Sequence, residues 1–189
     1  MFSRVVPLLT FGLLASAPAL AAEQIPVPHF RSIQLSDGGD LTIVPGPVQR
    51  VVLVSGARDF TRFQVRRDGQ LEISMECNGR CPRNYALRVQ IESPTVPDLA
   101  VSDGGTIVVQ RGFTPQRRIG AAVSEGGTID LRSLVVDAVS AAVNSGGDIY
   151  VRPRVSLAAA VNAGGDVHYS GNPQVTMAVH NGGEVRRDD

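Results

Sequence analysis

Apolar and polar residues alternate in short runs along this chain, and Gly-Gly pairs punctuate the runs. Six times the chain reads an apolar residue, then Ser, Asn or His, a variable residue, Gly-Gly, a small polar or acidic residue, and a second apolar run. The copies begin at Leu35, Val101, Val123, Val143, Val161 and Val179. The last five run in series. Their second glycines stand at 105, 127, 147, 165 and 183, so the spacings are 22, 20, 18 and 18 residues. A period near 20 residues with a turn and β-rich flanks predicts an all-β chain built as a β-solenoid, each repeat forming one coil.

The positions around the glycines support this reading. Ile107 and Val109, Ile129 and Leu131, Ile149 and Val151, and Val167 and Tyr169 occupy the same two offsets after Gly-Gly. In a parallel stack those offsets become inward columns, with strands about 4.8 Å apart. A sharp corner between strands needs positive φ, which glycine adopts without steric cost. The corner glycines are Gly38 and Gly39, Gly104 and Gly105, Gly126 and Gly127, Gly146 and Gly147, Gly164 and Gly165, and Gly182 and Gly183. Ser102, Ser124, Asn144 and Asn162 each precede a corner and would stack into a polar ladder. The alanines at 121–122, 141–142 and 158–160 lie before the turns, where coils bend tightly. A short helix over Leu157–Val161 is the alternative for the last of these.

The stretch from residue 30 to residue 111 reads as short strands. Pro45-Gly46-Pro47 breaks the run from Leu41 to Val44 away from the run from Val51 to Val54. Asp68-Gly69 marks a hairpin between Phe63/Val65 and Leu71/Ile73/Met75. Tyr85, Leu87, Val89 and Ile91 then alternate with polar residues. The expectation is an antiparallel β-meander over 22–98, followed by the Gly-Gly solenoid over 99–189, the two forming a single domain from residue 22 to residue 189.

Residues 1–21 read as an export signal: Arg4, an apolar run from Val5 to Leu14, and Ala19-Leu20-Ala21 before the cleavage point. The run is shorter than the roughly 20 residues a spanning helix needs, so no membrane span is expected after signal removal. The compartment implied is periplasmic or secreted. There, Cys77 and Cys81, separated by three residues, are expected to form a disulfide across a tight turn. Formal charge is balanced, with 18 basic and 18 acidic side chains, so there is no basic excess for nucleic acid. Trp is absent, which weighs against a sugar groove of stacked rings.

Chemistry-bearing residues gather at the corners. Directly after Gly-Gly stand Asp40, Thr106, Thr128, Asp148, Asp166 and Glu184. Solvated turns account for this acidic column; Asp148 and Asp166 are where a cation would sit if one binds. His29, His168 and His180 fall at different offsets and imply no shared site. No Gly-x-Ser-x-Gly elbow, phosphate loop or dinucleotide fingerprint is present, so neither a catalytic residue nor a cofactor is expected. The rival expectation is a polysaccharide-processing β-helix enzyme working through an acidic edge at Asp148 and Asp166, which requires those carboxylates to line a groove.

The opening from Phe30 to Leu41, the hairpin from Phe63 to Ile73, the Leu87-x-Val89-x-Ile91 strand and the serial Gly-Gly coils together resemble the head GIN domain family of auto-transporter adhesins. The resemblance spans residues 29 to 187. It departs in using Gly-Gly where the family often has Gly-x-Gly, and in carrying the Cys77–Cys81 loop. The resemblance implies an adhesin-like, non-enzymatic binding or structural protein of the cell envelope. Its partner would be an envelope protein or glycan, with self-association into a homo-oligomer also expected.

Overall fold

Strands form wherever apolar residues recur at every second position, and Gly or Pro ends them. The computed structural model describes residues 22–76 and 85–188. The strands are β1 (Glu23–Ile25), β2 (Ser32–Ser36), β3 (Asp40–Pro45), β4 (Arg50–Ser55), β5 (Thr61–Val65), β6 (Gln70–Met75), β7 (Arg88–Ser93), β8 (Asp98–Ser102) and β9 (Thr106–Val109). They continue as β10 (Gln116–Ser124), β11 (Thr128–Asp130), β12 (Val136–Asn144), β13 (Asp148–Val151), β14 (Pro153–Asn162), β15 (Asp166–Tyr169), β16 (Gln174–His180) and β17 (Glu184–Arg187). Among the described residues the only helical turn is a 3-10 turn at Arg58–Phe60. Leu157–Val161 is strand, inside β14.

The fold is all-β, with two mixed sheets. One has nine strands in the order β1-β4-β7-β3-β9-β11-β13-β15-β17; the other has eight, in the order β16-β14-β12-β10-β8-β2-β6-β5. Each Gly-Gly corner carries the chain from the eight-stranded sheet to the nine-stranded one. Repeats then add one strand to each sheet in parallel register: Ser124 pairs with Ser102 and Asn144, and Asn144 with Asn162. On the other sheet Thr106, Thr128, Asp148, Asp166 and Glu184 are likewise successive partners.

The core lies between the sheets. Leu35, Val101, Val123, Val143 and Val161 form one inward column and Leu41, Ile107, Ile129, Ile149 and Val167 another, none more than 2 % exposed. Burying one such side chain contributes about 1.5–3 kcal/mol. Where the chain enters a layer, a glutamine amide pairs with the backbone groups of a buried residue. Gln49 receives a hydrogen bond from the Phe30 N–H (3.1 Å) and donates to its carbonyl (2.9 Å). Gln116 does the same for Val96, at 2.7 and 3.0 Å.

The antiparallel meander expected over 22–98 needs correction. Among the described residues antiparallel pairing is confined to β1 with β4, β4 with β7, and β5 with β6. The β5–β6 hairpin turns at Asp68-Gly69 as expected, with Gly69 at φ 83°. In contrast β2 pairs in parallel with both β6 and β8, and β3 with both β7 and β9. The Leu35–Leu41 phrase is therefore a layer of the same stack, with β6 and β7 on one side of it and β8 and β9 on the other. Alternation with period two is the same in parallel and antiparallel strands, so the pattern alone could not separate them.

Candidate functional site

The corner is built from three successive residues with positive φ. In the third serial repeat these are Ser145 at 62°, Gly146 at 97° and Gly147 at 95°. The twelve corner glycines all lie between 83° and 105°. The residue before each pair, namely Asp37, Asp103, Glu125, Ser145, Ala163 or Asn181, is also left-handed, at 57° to 63°. The two glycines do different work. A Cβ at Gly164 would meet nothing within 4 Å, whereas one at Gly165 would lie 2.5 Å from Val143 Cγ1 and 2.6 Å from the Gly147 oxygen. Those carbonyls are the joints between layers: the Gly127 oxygen accepts from Asp148 N–H at 2.9 Å, and the Gly147 oxygen from Asp166 N–H at 2.9 Å.

Two columns flank the corner. On the eight-stranded sheet the Ser36 and Ser102 hydroxyls are 2.9 Å apart, and Asn162 Nδ2 donates to Asn144 Oδ1 at 2.9 Å. On the nine-stranded sheet, Asp148 and Asp166 stand side by side in register on the outer surface. His168 follows Asp166 by two residues, so it shares that outer face. Its side chain is nevertheless only 6 % exposed. The Tyr150 ring stacks on it with centroids 4.4 Å apart, and the Arg132 guanidinium lies 4.9 Å above the Tyr150 ring. His168 Nδ1 faces the Asp188 carboxylate at 3.2 Å and Arg186 Nε at 3.1 Å, while Nε2 points to Asp148 Oδ1 at 3.9 Å. Partial burial pushes the Asp130 carboxyl up, but hydrogen bonds from the Arg132 side chain and backbone N–H outweigh it and hold the group below its ordinary value.

Of the residues singled out in sequence, Asp148 and Asp166 come together, and His168 joins them. His180 sits on β16 in the polar ladder, opposite Asn162, and is exposed; His29 is exposed near the first layer. Cys77 and Cys81 and the export signal lie outside the described residues. Comparing histidines only with one another hid the His168 cluster. The signal was the two-residue spacing from Asp166 together with the repeat register that puts Asp148 beside Asp166.

A second feature was not read from the sequence. Opposite the Gly-Gly corners, the return loops of successive layers bound an open groove of ≈ 1140 Å³. Arg111, Arg132, Arg152 and Arg154 line it, and Asp130 is the one carboxylate among its lining residues. Arg132 is held by Asp130 and Arg154 by Asp137, at 2.5 and 3.3 Å. Arg111 and Arg152 make no ion pair among the described residues. Arg111, Arg132 and Arg152 come from three successive return segments, after β9, β11 and β13, and Arg154 from the start of β14, so the layer repeat brings them to one side.

Two mixed sheets joined layer by layer at glycine corners, with charged columns on the outside, define an all-β repeat protein. The profile of the family described as "putative auto-transporter adhesin, head GIN domain" matches residues 29–117 and 115–173, and the chain belongs to that family. Similar solved structures include a putative adhesin from Bacteroides fragilis NCTC 9343, at 19% identity, covering 89% of this chain and 96% of that one, TM-score 0.46. Another is a putative lipid binding protein from Parabacteroides distasonis ATCC 8503, at 13% identity, covering 89% and 96%, TM-score 0.44. A third is a putative adhesin from Parabacteroides merdae ATCC 43184, at 13% identity, covering 88% and 95%, TM-score 0.43. No curated protein matches the chain.

Proposed function

We propose that the chain is an exported, adhesin-like β-solenoid that binds an anionic component of the cell envelope without chemically altering it. The arginine groove carries this reading. Its guanidiniums are spaced by the layer repeat, and guanidinium forks recognise carboxylate and phosphate groups by paired hydrogen bonds. An extended polymer bearing regularly placed acidic groups, such as an acidic envelope glycan, matches such a row. Family membership supports the adhesin-like assignment, and the signal-like pattern read in residues 1–21 of the sequence supports a periplasmic or secreted location.

The enzyme alternative fares worse on geometry. It needs Asp148 and Asp166 in a groove beside a base or acid partner. They stand on the outer sheet face, and neither lines the arginine groove. The groove's own carboxylate, Asp130, is engaged by Arg132.

Calorimetric titration with acidic and neutral glycans, together with capture from the organism's own envelope fraction, tests the proposal. Acidic glycans should bind, and the double variant Arg111→Ser/Arg152→Ser should bind at least about tenfold more weakly, since each lost charged hydrogen bond is worth about 1.5–3 kcal/mol. Equal binding by the double variant overturns the groove assignment. Turnover of any glycan, ester or peptide that one substitution abolishes overturns the non-enzymatic assignment.

A further inference from the structure

The cluster around His168 lies on the outer face of β13 and β15, and the groove reading makes no use of it. We propose that Asp148, Asp166 and His168 form a binding site for a divalent transition-metal ion of the zinc, cobalt or nickel type. One donor atom from each lies within 4.8 Å of the other two. Ligands of such an ion sit about 2.0–2.2 Å from it, so small rotations of the two half-exposed carboxylates would close the shell.

The histidine distinguishes this cluster from an ordinary acidic surface. Its side chain is 6 % exposed, and stacking on Tyr150 fixes the ring plane. Nε2 is aimed at the carboxylate pair yet hydrogen-bonds to neither, the nearest oxygen being Asp148 Oδ1 at 3.9 Å. No hydrogen bond to Nε2 is made among the described residues. Nε2 is therefore left with a free coordination direction beside the two carboxylates, and an ion between the three groups would fill it.

The far side of the ring is arranged to match. A metal-bound histidine commonly donates its other N–H to a carboxylate, which fixes the tautomer and raises its basicity. Asp188 occupies that place, 3.2 Å from Nδ1. Arg186 Nε, 3.1 Å from Nδ1 and 3.5 Å from Asp188 Oδ1, competes for the same nitrogen. With an ion on Nε2 the proton resides on Nδ1 and points to Asp188, and Arg186 retains only its contact with that carboxylate. An imidazole joined to carboxylates suits zinc-like ions, whereas calcium takes six to eight oxygens. Three protein ligands leave a coordination position for water or for a donor from a bound partner.

Tag-free, chelator-treated protein titrated with ZnCl2 and CaCl2 by calorimetry tests the site, and the visible spectrum of the Co2+ form reports coordination number. One Zn2+ per chain is expected, with a four-coordinate Co2+ spectrum. Asp166→Asn and His168→Gln should each weaken Zn2+ binding at least tenfold, and Asp188→Asn should weaken it about 10–100-fold through loss of the orienting bond. Asp40→Asn, in the same column three layers away, should leave it unchanged. Because His168→Gln disturbs a buried stack, Asp148→Asn/Asp166→Asn, which alters only half-exposed side chains, carries the test if that variant unfolds. Absence of Zn2+ binding, retention of it by the carboxylate double variant, or calcium binding as tight as zinc overturns the proposal. None of these outcomes bears on the arginine groove, which Arg111 and Arg152 test separately.

Discussion

At every second glycine of the serial repeats a carbonyl of the previous layer occupies the space where a side chain would begin. Gly164→Ala therefore costs only the left-handed conformation, about 1–2 kcal/mol. Gly165→Ala adds contact with Val143 Cγ1 at 2.5 Å and the Gly147 oxygen at 2.6 Å, and overpacking of that kind adds about 1–3 kcal/mol. Urea denaturation of the two variants should rank them in that order; equal losses would mean that φ alone explains the pair. The residue ahead of the glycines offers the opposite experiment. Ala163 is held at φ 59°, a region that asparagine tolerates better than alanine, and Asn181 already occupies the equivalent place one layer on. Ala163→Asn should raise stability by about 0.5–1 kcal/mol, a shift of roughly 1–4 °C in Tm for a chain of this size. The Gly-Gly pairs, and hence the corners, were legible from spacing alone. The third left-handed residue was not, because Glu125 and Ala163 have no preference for that conformation; the stack imposes it.

Columns are the consequence of adding one strand per sheet per repeat, and they bring like residues together whether or not this is favourable. Asp103 and Glu125 are neighbours in such a column. The hydrogen bond with Asp103, and after it the Asp103 charge, raise the Glu125 carboxyl above its ordinary value. A carboxyl that holds its proton more tightly folded than unfolded adds stability below its unfolded pKa and loses it as pH rises through the folded value. The pair thus opposes folding at neutral pH. Glu125→Gln should melt at a higher temperature than the native chain at pH 7, and the gap should close near pH 4, where a protonated Glu makes the same bond. A gap independent of pH would assign the effect to something other than charge. Asp130 behaves with the opposite sign: held low by Arg132, it stabilises at neutral pH and loses that contribution on acidification through its folded value. The inward columns and the polar ladder were readable from offsets relative to Gly-Gly. The arginine groove was missed although Arg132 and Arg152 each stand five residues after a second glycine, because Arg111 stands six after and spacing alone does not show that the return segments face one groove.

Layer order is the property of the whole molecule that a linear pattern conceals. The layer of β2 and β3 comes early in the chain yet lies in the middle of the stack, with β6 and β7 on one side and β8 and β9 on the other. Later layers follow chain order, so each touches only its neighbours, and a stack of that kind tolerates loss of a unit. Deleting residues 147–164 removes one 18-residue repeat and joins Gly146 to Gly165, restoring a Gly-Gly-Asp corner. Asp166 N–H would then reach the Gly127 oxygen that Asp148 N–H now bonds at 2.9 Å, and Val167 would pack on Ile129. The shortened chain should fold cooperatively with a lower Tm, since it forfeits the burial of Ile149, Val151, Leu157 and Val161 but also orders fewer residues. Deleting residues 88–105 removes the same length of chain, yet it strips β7 from one side of the β2–β3 layer and β8 from the other. Two half-layers would remain, with Ile73 and Ile107 uncovered, and that chain should not fold. Far-UV circular dichroism and urea melts of the two deletions separate the cases. If both unfold, the repeats are not exchangeable layers and the solenoid reading fails; if both fold, the interleaved order of the first layers is wrong.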